Sequence, residues 1–213
     1  MQEHPVLRRA PGDHPPTPGA AAGPPRRLTL ADTVRLIRRD LAFQCRARFA
    51  AGNWRLALRL LLLHPGAACV LRYRLQCWLC SNRLAPLGRA LRFVNLALYG
   101  IDLDEGASIG GGFRIAHAVT IRITAGTVIG ERCTVFHQTM IGRSPYCEPG
   151  REPGPVLIGD DVVFGPGACV YGRIVIGDGC RIGVNTVVDR SFPAATILSG
   201  VPARVVGGSA ARP

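Results

Sequence analysis

From Leu28 to Leu98 the apolar residues fall at helical spacing. Thr29 and Asp32 form a capping pair, and Val34, Ile37 and Leu41 follow at i, i+3 and i+7. Gly52-Asn53 breaks that helix, Trp54 to Leu63 forms a second, and Pro65-Gly66 breaks the chain again. Val70 to Leu79 and Leu87 to Leu98 give two more, so an α-helical domain is expected over residues 28–99. After Gly100 the period changes to six. Ile158, Phe164, Val170, Ile176, Ile182 and Val188 form one ladder, and Val162, Ala168, Ile174, Cys180 and Thr186 form a second. Upstream, Leu103, Ile109, Ile115 and Ile121 keep the same step. Ile123, Ile129, Val135 and Ile141 continue it after a two-residue shift at Ile121–Arg122.

Neither a helix, with period 3.6, nor an ordinary strand, with period two, produces a step of six. A triangular solenoid does. Each hexapeptide is one short strand and one corner, and three of them close an 18-residue coil. The large aliphatic residue fills the interior, the small one fits near the corner, and the glycines after the large positions permit the bend. Residues 100–206 are therefore expected to be a parallel β-helix. Residues 207–213 are expected to be a short tail, and the proline-rich residues 1–27 a disordered N-terminus. The turn of Ile141 to Ile158, around Arg143-Ser144-Pro145-Tyr146-Cys147, breaks the period and predicts a loop.

Composition narrows the chemistry. The chain has no lysine among its 26 basic residues, which excludes P-loop and Schiff-base mechanisms. Residues 1–100 hold 16 arginines against 4 acids, whereas residues 101–213 hold 10 of each. The arginines alternate with leucines and lack interleaved aromatics, so they read as a solvated helical face and not as a nucleic-acid surface. The 8 cysteines are too scattered for a disulfide framework. The Cys77-Trp78-Leu79-Cys80 pair has no histidine at ligand spacing and reads as packing, so no metal is expected. A reduced, cytoplasmic chain follows. No signal peptide is visible, and the longest apolar run, Leu60 to Leu63, is too short for membrane insertion.

The hexapeptide pattern resembles the hexapeptide-repeat acyltransferases, whose solenoid is a left-handed parallel β-helix. More specific residues resemble the serine acetyltransferase family. Gly100-Ile101-Asp102-Leu103 and Gly106-Ala107-Ser108-Ile109-Gly110 are similar to the entry into its solenoid, and Ile115-Ala116-His117 to the coil carrying its catalytic histidine. Ile182-Gly183-Val184-Asn185-Thr186-Val187-Val188 and Gly200-Val201-Pro202-Ala203-Arg204 are similar to its last coil and closing motif. His64-Pro65-Gly66 and Tyr73-Arg74 match its helical part more weakly.

The resemblance implies transfer of acetyl from acetyl-CoA, a co-substrate and not a permanently bound cofactor, to the hydroxyl of L-serine on the route to cysteine. His117 would be the general base and Asp102 the acid orienting it. Gly165, Gly167, Ala168, Gly183 and Arg204 would line the acetyl-CoA site through coil N–H groups and the closing arginine. Arg151, in the loop, would be a CoA contact, with plain loop the equal alternative. The resemblance also implies a homotrimer, or a dimer of trimers. His137 faces outward in phase but matches no family position and reads as structural. Three positions depart from the family pattern. Ala116 replaces an acid that helps bind the serine amine, Gly154 stands where a loop histidine often lies, and Pro166 replaces an alanine. These keep open a sugar hydroxyl of a surface polysaccharide as acceptor, and a non-catalytic assembly solenoid. A zinc lyase would need three solenoid histidines where only His117 and His137 occur. The final residues, Gly207 to Pro213, lack a terminal isoleucine, so no tight complex with O-acetylserine sulfhydrylase is expected.

Overall fold

The computed structural model describes residues 28–44, 64–143 and 154–208. The expected helix at Trp54 to Leu63, the loop around Arg151 and both termini lie outside the described residues. Among the described residues three helices precede the solenoid: α1 (Leu30–Gln44), α2 (Pro65–Ser81) and α3 (Ala85–Tyr99). Helix α1 starts where the pattern placed it, with the Thr29 hydroxyl accepting from the Asp32 amide at 3.1 Å and donating to its carboxylate at 2.6 Å. No helix among the described residues is long and apolar enough to cross a membrane.

From Ile101 onward, short strands wind into a parallel solenoid with three flat sheets. The first contains β1 (Ile101–Leu103), β4 (Ile121–Ile123), β7 (Met140–Gly142), β10 (Cys169–Tyr171) and β13 (Val187–Val188). The second contains β2 (Ser108–Ile109), β5 (Val128–Ile129), β8 (Val156–Ile158) and β11 (Ile174–Ile176). The third contains β3 (Arg114–Ile115), β6 (Thr134–Val135), β9 (Val163–Phe164), β12 (Arg181–Ile182), β14 (Thr196–Ser199) and β15 (Arg204–Gly208). The large ladder residues Leu103, Ile115, Ile141, Phe164, Val170 and Val188 are all buried in one continuous core. The small positions Ala168, Cys180 and Thr186 are buried beside them, as the period requires. Each large aliphatic residue so buried contributes about 1.5–3 kcal/mol.

Two departures from the period are informative. Ile121 pairs with Ile101 and Ile123 with Leu103, so the first coil spends 20 residues where Ile123 to Ile141 spends 18. The two extra residues therefore lie in the corner 116–120 and not at Ile121–Arg122, because both Ile121 and Ile123 point inward. At the other end β15 turns back and pairs antiparallel with β14 through Gly208, so the solenoid reaches two residues into the expected tail.

The helical arm is bonded to the open face of the first coil. Side chains of α1 and α2 donate to carbonyls on all three of its sides: Gln76 to Leu103 (2.9 Å), Tyr73 to Ala107 (2.7 Å), Arg74 to Ile109 and Gly110 (2.6 Å each) and Gln44 to Ile115 (2.9 Å). These carbonyls would otherwise be orphaned at a strand edge. The Arg74 guanidinium also grips Asp40 of α1 at 2.8 Å, with both side chains 5% exposed, and Asp40 accepts from the Phe113 amide at 2.9 Å. The arginines of the helical half are therefore not one solvated face. Arg35 is 72% exposed, whereas Arg74 sits inside the joint between arm and solenoid. Gly66 permits this joint, since a Cβ there would stand 2.2 Å from the Ile115 carbonyl oxygen.

Candidate active site

His117 sits on the widened corner between β3 and β4, and its side chain is exposed. The corner is anchored at both ends. The Ala116 amide donates to Val135 at 2.9 Å, and the Thr120 amide donates to Tyr99, at the end of α3, at 2.9 Å. Thr120 adopts φ of 46°, a left-handed conformation that a β-branched residue rarely tolerates. The following corners turn in the same way, at Gln138 (φ 57°), Gly167 (φ 70°) and Asn185 (φ 51°).

The same corner recurs in every coil, and the corners stack. The Gln138 amide donates to Val119 at 3.1 Å, that of Gly167 to His137 at 3.0 Å, and that of Asn185 to Pro166 at 2.8 Å. This column places the ring of His137 against that of His117, edge to face, with centroids 5.7 Å apart and planes at 70°. Phe136 adds a tilted contact with His117 at 5.7 Å. His137 thus joins the site, although the period alone gave it no partner. No hydrogen bond among the described residues holds the His117 ring.

Asp102 lies on β1, beside Arg122 of β4. Its Oδ1 accepts from Arg92 of α3 at 2.6 Å, and its Oδ2 stands 3.6 Å from the exposed Arg122. The same Arg92 bonds Asp104 at 2.9 Å and Glu105 at 3.1 Å. Asp102 and Asp104 raise the pKa of the Arg92 guanidinium further, with the Asp102 hydrogen bond the largest cause. The structure does not join Asp102 to His117 by a hydrogen bond.

The positions expected to bind acetyl-CoA lie further along the column. Gly165, Gly167 and Ala168 form one corner, Gly183 opens the next, and Arg204 starts β15. Their amides are already used within the solenoid. Gly165 donates to Ile182 (2.8 Å), Gly167 to His137 (3.0 Å), Ala168 to Gly165 (3.1 Å) and Gly183 to Leu198 (2.8 Å). Three of these amides bond to a neighbouring coil, and that of Ala168 closes its own corner. The side chain of Ala168 is also fully buried. Gly167 keeps the corner narrow: its φ is +70°, and a Cβ would meet the Asn185 side-chain oxygen at 2.0 Å. Arg204 is exposed and donates to the Ala203 carbonyl at 3.0 Å. Arg190, not singled out in the sequence, converges on that carbonyl at 2.8 Å. Arg151 lies outside the described residues.

Burial raises the pKa of the thiols, Cys133 to about 12 and Cys69 and Cys77 to about 11, with desolvation the largest cause in each. No cluster of three or more histidine, cysteine or acidic residues suited to a metal exists among the described residues.

A family model for bacterial transferase hexapeptide repeats (six repeats) matches residues 155–190. The serine acetyltransferase of Mycobacterium tuberculosis is 35% identical over 157 residues, spanning 74% of this chain and 67% of that protein. That of Helicobacter pylori strain J99 is 36% identical over 146 residues, spanning 68% of this chain and 84% of that protein. Among solved structures, soybean serine acetyltransferase superimposes with a TM-score of 0.69 at 28% identity, covering 82% of this chain and 69% of that one. The Brucella abortus serine acetyltransferase solved with coenzyme A has the same fold, with a TM-score of 0.73 at 21% identity over 86% of this chain and 71% of that one. A hexapeptide solenoid with a histidine on a widened corner and relatives of this similarity across most of their length make the chain a member of the serine acetyltransferase family.

Proposed function

We propose that the protein is an acetyl-CoA-dependent serine O-acetyltransferase. The observation that carries the reading is His117, lifted out of the solenoid on a corner two residues wider than those that follow, in a chain of this family. A serine hydroxyl is a poor nucleophile at neutral pH. His117 accepts its proton as the oxygen attacks the thioester carbonyl, and the tetrahedral oxyanion collapses with cleavage of the carbon–sulfur bond. The departing thiolate takes the proton back from the imidazolium. A base so placed contributes about 10²–10⁴ in rate. Asp102 is the acid proposed to orient the imidazole and stabilise its cation. Oδ2 is the oxygen suited to this, since its partner Arg122 is distant at 3.6 Å while Arg92 keeps Oδ1.

Acetyl-CoA runs along the corner column past Gly165, Gly167 and Gly183, glycines that the close approach of the neighbouring coil requires. Arg204 and Arg190 supply cationic donors for its phosphates at the far end. The working unit is a homotrimer. Three prisms around a three-fold axis bring the flat face of one against the corner column of the next and close the site between them.

Ala116, beside the base, offers no carboxylate to an amino group, and this favours a sugar hydroxyl as the second reading. Acetyl-CoA consumption measured against L-serine and a sugar panel separates the two. Turnover with L-serine is expected, and turnover confined to sugars would replace the first reading by the second.

A further inference from the structure

We propose that Pro166 limits how tightly this protein holds acetyl-CoA, by leaving one coil without the outward N–H that would bond the pantetheine arm. The inference rests on the reading that acetyl-CoA follows the corner column. After the widened corner, three corners of the column share one hydrogen-bond pattern. The first amide of each donates to the coil that follows: Phe136 to Phe164 (3.1 Å), Gly165 to Ile182 (2.8 Å) and Gly183 to Leu198 (2.8 Å). The third donates to the coil that precedes: Gln138 to Val119 (3.1 Å), Gly167 to His137 (3.0 Å) and Asn185 to Pro166 (2.8 Å). The second amide belongs to neither set. Those of His137 and Val184 have no acceptor among the described residues. In the corner between them the second residue is Pro166, which has no N–H.

The corner explains why proline is accepted there. The Ala168 amide bonds the Gly165 carbonyl at 3.1 Å and Gly167 has φ of 70°, the pattern of a type II turn. Proline suits the second position of such a turn, because its φ is already set and the turn's own hydrogen bond does not use that amide. The same amide is the one that a ligand lying along the column can reach. Coils repeat about every 4.8 Å, so the free donors of His137 and Val184 stand about 10 Å apart with an empty rung between them. The arm of acetyl-CoA carries two amide carbonyls, and a carbonyl opposite Pro166 gains no donor from the backbone there. Proline thus stiffens the corner at the expense of a contact to the ligand.

Pro166→Ala restores the N–H and keeps the Cβ. Calorimetric titration of the full-length protein with CoA, without any acceptor, is expected to give a Kd about threefold to tenfold lower in the variant, the range that one neutral hydrogen bond supplies. The bisphosphorylated adenosine of CoA alone, without the arm, should bind both proteins within about twofold, since it reaches no corner amide. The variant should also unfold at a slightly lower temperature, because proline restrains the unfolded chain. Tighter binding beside lower stability is not what a general stiffening of the site would give. Weaker CoA binding in Pro166→Ala, or a gain shared by the bisphosphorylated adenosine, would overturn the proposal. If neither protein binds CoA, the proposed function fails and this proposal with it. If the wild type binds CoA and the variant binds it no better, the role of Pro166 alone falls.

Discussion

One imidazole carries the proposed chemistry, and its removal should be felt almost entirely in turnover. His117→Ala is expected to lower kcat at least about a hundredfold and to leave acetyl-CoA affinity nearly unchanged, with Asp102→Asn costing less. Steady-state kinetics beside calorimetric titration of acetyl-CoA checks both, and near-normal turnover in His117→Ala would remove the base assignment. The thiols make a second prediction. A thiol of pKa about 12 is about 10⁻⁴ ionised at pH 8, whereas one near 8.5 is roughly a quarter ionised. Cys133, Cys69 and Cys77 should therefore resist iodoacetamide at pH 8 in the native protein and label rapidly in urea, as site-resolved mass spectrometry can show. Because folding raises these pKa values, the thiols favour the native state fully below about pH 8.5 and progressively less from there up to about 12. His117 was legible from its motif and phase. His137 was not, because a step of six says only that both residues face outward. Their contact depends on the pairing of successive corners, which a 20-residue coil sets and a hexapeptide count does not.

At the scale of elements, the joint between arm and first coil concentrates stability in a single ion pair. Arg74 serves Asp40 and two carbonyls at once, in a site where neither charge reaches water. Asp40→Ala leaves that guanidinium buried and uncompensated and should cost about 3–5 kcal/mol. Arg74→Lys should recover little of the function of the joint, since an ammonium cannot make the planar fork that reaches all three partners. Chemical denaturation of both variants measures this, and a loss below about 1 kcal/mol in Asp40→Ala would show that the joint is dispensable. The helices and the solenoid were readable from apolar spacing because burial enforces period 3.6 in one and six in the other. The polar members of the joint were not readable that way. Tyr73, Arg74 and Gln76 are buried for the carbonyls they satisfy, and hydrophobic patterning does not register a donor. The fold-back of β15 escaped for a similar reason: Arg204 to Gly208 carries no period, and its pairing is with backbone alone.

For the whole molecule, the proposed site is incomplete in one copy. The proposed acetyl-CoA column is a convex corner, and in the proposed trimer a neighbouring prism supplies its opposite wall. Light scattering with multi-angle detection should find a trimer or a multiple of three, and a stable, fully active monomer would contradict the arrangement. Charge is distributed to suit such packing. The solenoid half is neutral, with 10 arginines and 10 acids, so prisms can approach face to face without repulsion.

The bonded cover over the first coil has a consequence for solubility. A parallel solenoid with a bare end is a template on which another chain can add coils, in the manner of a growing amyloid tip. Here Gln44, Tyr73, Arg74 and Gln76 occupy the acceptors at one end, and the reversed β15 lies across the third sheet at the other. The same side chains that dock the arm thus act as chain terminators, keeping a fold built for repetition from repeating between molecules.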